Sequence, residues 1–207
     1  RREHDELAAA HIRKSSGSGG ALLIVDVQND FCPGGALPVP DGDRVIPVLN
    51  RLAARFEAAG RPVYASRDWH PPDTTHFKPF GGPWPVHCVA GTPGAAMHPD
   101  LQLPLGTIAI SKGQDRQDAG YSAFEGMTDA GRKVADDLRE RGVSELFVGG
   151  LATDYCVRAS VLDARRAGFH VTVVTDGIAG IDPEDSARAR EEMLEAGASL
   201  TSSDTLL

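Results

Sequence analysis

At 207 residues, 41% of them hydrophobic and 24% charged, the chain suits one ordinary globular domain with a sizeable core. No apolar run approaches a membrane span, and a net charge of -8 without a dense Lys/Arg cluster in the body argues against a nucleic-acid or anionic-membrane surface. Three cysteines (Cys32, Cys88, Cys156), an odd number with no signal-peptide pattern, fit a reducing compartment, the cytoplasm by default, better than a disulfide framework. A small-molecule partner is expected.

Residues 1–20 differ in character, charged and Ala-rich and then SSGSGG. An amphipathic helix over Arg1–Lys14 on a flexible tether is expected there, outside a domain spanning 21–207, and no function is assigned to it. From Ala21 onward, short continuous apolar runs alternate with segments of helical period. The runs are ALLIVDV, PVYAS, TIAIS, ELFVGG, HVTVV and a weaker ASLTS. Helices are expected over about Arg44–Ala59, Gly131–Arg141, Asp154–Ala167 and Pro183–Ala196. Apolar runs joined by covering helices predict an α/β fold, a doubly wound parallel sheet with helices on both faces.

Ligands of such sheets bind beyond the carboxyl ends of the strands, near the point where strand order reverses. Asp26 ends the first run, Asp68 follows the second, Lys112 the third and Cys156 the fourth, so position alone brings four reactive side chains to one rim. In LFVGGLATDYCVR a glycine turn follows a strand and Cys156 opens the next helix, where backbone N–H groups and the helix dipole favour a thiolate. Asp26 would accept the thiol proton and pass it to a leaving amine, with Lys112 as the adjacent cation. The N–H groups of Ala152 and Cys156 would meet the oxyanion. Taken singly, a cysteine at a strand end is more often a small buried hydrophobe, and an aspartate there more often a turn cap. Their joint placement reverses those odds.

The connection from Asp68 to Gly106 is long for a loop, and its Trp69, Trp84, His70, His76 and His87 argue against disorder. Asp68, His70 and His87, with His76 as a further candidate, suit one divalent transition ion such as Zn, Fe or Mn; a carboxylate and a histidine two apart in extended chain point the same way. Phe31, Trp84 and Tyr121 are candidate walls for a flat ring. Cys32 and Cys88 are read as non-catalytic, and His98 and His170 as solvated or structural.

Five segments, IVDVQNDFCPGGALPV, SRDWHPPDTTHF, WPVHCVAGTPGA, SKGQDRQDAGYSAFEG and GLATDYCV, together resemble the nicotinamidases among the isochorismatase-like cysteine hydrolases, from about Ala21 to the C-terminus. The resemblance implies a six-stranded parallel sheet and an Asp26, Lys112, Cys156 triad. It implies a metal site of Asp68, His70 and His87, with His76 matching a ligand found in part of the family. It also implies a cis peptide between Leu151 and Ala152 that shapes the oxyanion hole, and a pyridine ring held between Phe31 and Trp84. Tyr155, just before the cysteine, is a position where relatives differ and a candidate for ring recognition. The implied reaction is hydrolysis of nicotinamide to nicotinate and ammonia through a thioester, in NAD salvage, with pyrazinamide as a second substrate.

The alternatives are a metal-free relative acting on carbamoyl or ureido amides, an isochorismatase acting on a vinyl ether, and a metal-binding redox-sensing module built on Cys156. The first would lack the metal residues and the second the cysteine, while sensing has no need of Lys112 with Asp26. Oligomeric state and the identity of the metal stay open.

Overall fold

The computed structural model describes residues 19–207, so the helix expected over Arg1–Lys14 lies outside the described residues. Seven strands form one sheet: β1 Gly20–Val25, β2 Val63–Asp68, β3 Ile108–Lys112, β4 Met127–Thr128, β5 Glu145–Leu151, β6 His170–Ala179 and β7 Ser199–Thr201. Their spatial order is β4-β3-β2-β1-β5-β6-β7, and every ladder is parallel except β3 with β4. Each of the six apolar runs is a parallel strand. The expected count of six is corrected to seven by β4, a two-residue antiparallel edge strand too short to carry any periodicity.

β1 is buried along its whole length between β2 and β5, which is why it reads as an unbroken apolar run. Its residues alternate between two cores: Leu22 and Ile24 face one, Ala21, Leu23 and Val25 the other. The first core is closed by α1, Val45–Ala58, through Val45, Val48, Leu49, Leu52 and Phe56 at helical spacing. The rest of that face is covered by the β2–β3 connection, with Cys88 and Ala95 inside it and Trp69, Met97, Leu101 and Leu103 packed against it. The second core is closed by α2, Val134–Glu140, α3, Arg158–Arg166, and α4, Pro183–Glu195.

The four helices fall where periodicity predicts them, with one difference. The segment expected as a helix over Asp154–Ala167 begins as a π-helical turn, Thr153–Val157, before α3 starts. α4 opens as its sequence suggests, with Pro183 in its first turn and the Asp182 side chain accepting the Asp185 N–H at 2.9 Å. No helix among the described residues is long and apolar enough to cross a membrane.

Strand order reverses between β1 and β5, and backbone contact there is close. Gly150 has φ +119°, and a Cβ on it would lie 2.1 Å from the Val25 carbonyl oxygen. Gly150→Ala is expected to lower the unfolding free energy by at least about 2 kcal/mol, read as a drop in the urea midpoint. An unchanged midpoint would mean that β1 and β5 can separate without cost.

Candidate active site

β1, β2 and β3 end side by side, and their last residues deliver the charged groups. Asp68 and Lys112 are register partners in the β2–β3 ladder, so their side chains leave the sheet on the same side. Asp26 follows β1 directly with φ 50°, a left-handed conformation, and its N–H donates to the Ser66 carbonyl at 3.1 Å. Lys112, 1% exposed, places Nζ 2.7 Å from Asp26 Oδ2, 2.5 Å from Asp68 Oδ1, 2.7 Å from the Gly120 carbonyl and 3.4 Å from Cys156 Sγ. One buried cation therefore joins both carboxylates to the sulfur.

Burial raises the Asp26 carboxyl above its ordinary range, and Lys112 and the Ser66 hydroxyl, donating to Asp26 Oδ1 at 2.7 Å, offset only part of that. Asp68 is also penalised by burial, yet Lys112 and the two imidazoles beside it hold it well below the usual carboxylate range. Burial works against the Lys112 ammonium, but Asp26 and Asp68 outweigh it and keep Lys112 charged. Cys156, 7% exposed, is pushed well above the ordinary thiol value by burial, with Lys112 pulling the other way. The resting group is thus a thiol beside a carboxyl of raised pKa. Burial opposes the thiolate expected from the helix terminus alone.

Cys156 sits in the π turn after the cis peptide Leu151–Ala152. The Ala152 carbonyl accepts from the Tyr155 and Val157 N–H groups, both at 3.1 Å, which ties the peptide to the turn. Asp154 accepts the N–H groups of Ile181 and Asp182, each at 3.0 Å, and so docks the β6–α4 loop against the same turn.

Beside this cluster, one ring nitrogen each of His70, His76 and His87 lies within 4.8 Å of the others. Nδ1 of His70 contacts the Gly113 carbonyl and Nδ1 of His87 the Pro85 carbonyl, both at 2.8 Å. A carbonyl only accepts, so each Nδ1 carries a hydrogen and each Nε2 is free to bind a proton or a metal ion. The two Nε2 atoms face Asp68 Oδ2 at 3.4 Å for His70 and 3.8 Å for His87. Acceptors so placed need a proton or a cation between them, and His70 Nε2 is buried without a hydrogen-bond partner. Burial, reinforced by the other two imidazoles, pushes His76 down to about 4, so it too offers a lone pair at neutral pH. This donor set, three imidazoles and a carboxylate, fits one divalent transition ion.

A pocket opens over both clusters. Cys156, Asp68, His76 and His87 form its floor, and Phe31, Leu37, Val39, Trp84, Tyr121, Leu151, Ala152, Tyr155 and Ile181 its walls. The Trp84 indole N–H donates to the Tyr121 hydroxyl at 2.8 Å, and Tyr155 meets Trp84 edge-on at 5.0 Å between ring centroids. Phe31 lies 5.5 Å from the His87 ring. Every site residue singled out from the sequence lies at this pocket, in the Lys112 charge cluster or in the imidazole cluster, whereas Cys32, Cys88, His98 and His170 do not line the pocket.

Residues 20–205 match the Isochorismatase domain family. The chain belongs to it. Nicotinamidase of Escherichia coli (strain K12) is 44% identical over 201 residues, covering 87% of this chain and 93% of that protein. The crystal structure of pyrazinamidase of Pyrococcus horikoshii in complex with zinc superposes with TM-score 0.83 and 46% identity, over 88% of this chain and 98% of that one. PnC1 from L. infantum in complex with nicotinate gives TM-score 0.81 and 34% identity, over 90% and 94% of the two chains.

For this isochorismatase-family chain, residue-type reasoning missed Ser66 under Asp26, Gln28 against the Asp68 backbone, and the apolar walls Leu37, Val39 and Ile181. None carries a chemical signature by type, and each became visible only through its neighbours. The imidazole cluster yields a direct expectation: metal-stripped protein should take up one zinc ion per chain in calorimetric titration. His70→Ala should weaken binding by more than the about 10- to 100-fold that losing a ligand's hydrogen-bond partner costs. Equal affinity in the variant would remove His70 from the site.

Proposed function

We propose that the protein is an amidase that hydrolyses nicotinamide to nicotinate and ammonia through a Cys156 thioester, with one divalent transition ion held by Asp68, His70, His76 and His87. The observation that supports this most directly is that a single pocket is lined by the sulfur and by members of the imidazole–carboxylate cluster. Its aromatic walls suit a small planar ring. The names and bound molecules of the relatives point the same way. When bound, the ion supplies a Lewis acid that anchors the ring nitrogen and polarises water.

The chain's own groups account for the chemistry. Asp26 takes the Cys156 proton as Sγ attacks the carboxamide carbon, and the carbonyl electrons move onto oxygen, where the Ala152 and Cys156 N–H groups receive them. Lys112 holds Asp26 and the forming thiolate at hydrogen-bond range, so negative charge passes between sulfur and carboxylate beside a fixed cation. Collapse of the tetrahedral adduct breaks the C–N bond, and Asp26 returns its proton to the departing ammonia. Water then gives a proton to Asp26 and its oxygen to the thioester carbon. Collapse of this second adduct breaks the C–S bond, the sulfur takes back the proton from Asp26, and the acid leaves as nicotinate, its own proton passing to solvent or ammonia. Phe31, Trp84, Tyr121 and Tyr155 grip the ring through these steps, and pyrazinamide, with one further ring nitrogen, fits the same walls.

Redox sensing calls for an exposed thiol of low pKa, whereas Cys156 is buried and raised. A metal-free amidase has no use for three imidazoles clustered beside its nucleophile. A catalytic thiol without a disulfide partner belongs in a reducing compartment, and we assign the enzyme to the cytoplasm, in NAD salvage, as one domain over residues 21–207.

Metal-loaded protein given nicotinamide should release ammonia, and Cys156→Ala should cut kcat by about 10⁴-fold or more. Undiminished release by that variant would exclude the thioester. The pH profile tests Asp26 separately. Attack needs its carboxylate, so activity falls as pH drops through the raised Asp26 value. The Ser66 hydrogen bond is one of the influences that lower that value. Ser66→Ala should therefore move the acid limb of kcat/KM to higher pH, and a shift to lower pH, or none, would assign that limb to another group.

A further inference from the structure

The six residues 26–31 begin with Asp26 and end with Phe31, and two polar side chains between them, Gln28 and Asp30, have no part in the chemistry above. Gln28 is fully buried. Its Oε1 accepts the Asp68 N–H at 2.9 Å, and its Nε2 donates to the Asp68 carbonyl and to the Ala95 carbonyl, both at 2.9 Å. The side-chain amide thus satisfies both backbone groups of one residue. The β1–β2 ladder ends at the pair Val25 with Ser66, two residues before Asp68. Gln28 takes the place of the missing strand neighbour while β3 holds Asp68 from the other side.

Asp30 acts on the opposite half of the imidazole cluster. Its Oδ2 accepts the N–H of Cys88 at 2.8 Å, and its Oδ1 the N–H of Ala36 at 3.1 Å. Cys88 follows His87 directly, adopts φ 46°, and its carbonyl accepts the His70 N–H at 3.0 Å. One residue, Cys88, therefore links Asp30 to the backbones of both histidines. The chain closes over this carboxylate at Gly94, where a Cβ would lie 2.2 Å from Asp30 Oδ2.

We propose that Gln28 and Asp30 are positioning residues for metal binding: Gln28 aims the Asp68 carboxylate, and Asp30, through the Cys88 backbone, sets the separation of His70 and His87. Ligand geometry has to hold within a few tenths of an ångström, and hydrogen bonds to ligand-bearing groups are what hold it. A loop tether alone would not need both contacts to fall on the backbone of a ligand or of its immediate neighbour. The same six residues then carry the proton acceptor, the metal geometry and one ring wall, so substrate and nucleophile are aligned by a single element.

This inference rests on the metal assignment, and its test reads zinc affinity in place of turnover. Metal-stripped wild type, Gln28→Met, Asp30→Asn and the core variant Leu52→Ala are titrated with zinc against a chromophoric chelator; Gln28→Glu, closer in shape, replaces Gln28→Met if that variant fails to fold. The two site variants should each bind zinc about 10- to 100-fold more weakly, while Leu52→Ala, destabilised through a cavity remote from the cluster, keeps the wild-type dissociation constant. Wild-type affinity in both site variants, or equal weakening in Leu52→Ala, overturns the proposal. Failure of the wild type to take up zinc would instead overturn the metal assignment, and this inference with it.

Discussion

The buried ammonium of Lys112 is the contact on which the site depends. It sits among Asp26, Asp68, the Gly120 carbonyl and Cys156, and these groups come from different strand ends or the loops beyond them. Without that cation, two carboxylates at 0% and 3% exposure would face each other in a low-dielectric interior. Breaking a buried pair of this kind costs about 3–5 kcal/mol, because the remaining charges are left uncompensated. The same cation makes the chemistry workable. It lets a buried carboxylate ionise and stands ready beside a sulfur that becomes negative. Even so, two carboxylates outnumber one ammonium, and a second cation at the imidazoles would restore the balance.

The route from β2 to β3 shows how the fold makes room for that second cation. A parallel crossover is usually a helix, whose backbone groups satisfy one another. Here the chain is largely irregular from Trp69 to Thr107, and its backbone groups bond both within the segment and to other loops. Cys88 bonds to Asp30 and His70, and Thr75 to Arg116. Close approach replaces regular structure at Gly113, where a Cβ would lie 2.5 Å from the His70 ring. Such a segment can place His76, Trp84 and His87 around a point in a way that a single helix face cannot.

The six parallel strands were legible as short apolar runs, unbroken where both faces are buried, as in β1 and β5, and weakest in β7, which is partly exposed, and the helices because their apolar residues recur at i, i+3 and i+4. β4 was not legible: two residues carry no period, and pairing with β3 alone defines them. The π turn before α3 was read as ordinary helix because it runs directly into one, and only its backbone pattern, with the Val157 N–H bonded to the Ala152 carbonyl five residues back, sets it apart. Asp26, Lys112, Cys156 and the histidines could be picked out by residue type at strand ends and in one anomalous loop. Ser66 and Gln28 could not, because a serine and a glutamine acquire a role only from what lies opposite them.

The order of strands and helices along the chain, and the chemical identity of the groups at the strand ends, were therefore settled by the sequence itself, because hydrophobic period and residue type are local properties. The lateral arrangement was settled only in three dimensions. With β1 between β2 and β5, residues 26, 68, 112 and 156 become neighbours although they are far apart in the chain. That arrangement also decides protonation. Ionisation of Asp26, Asp68 and Cys156 is governed by burial and by one shared ammonium, and both are properties of the packed molecule.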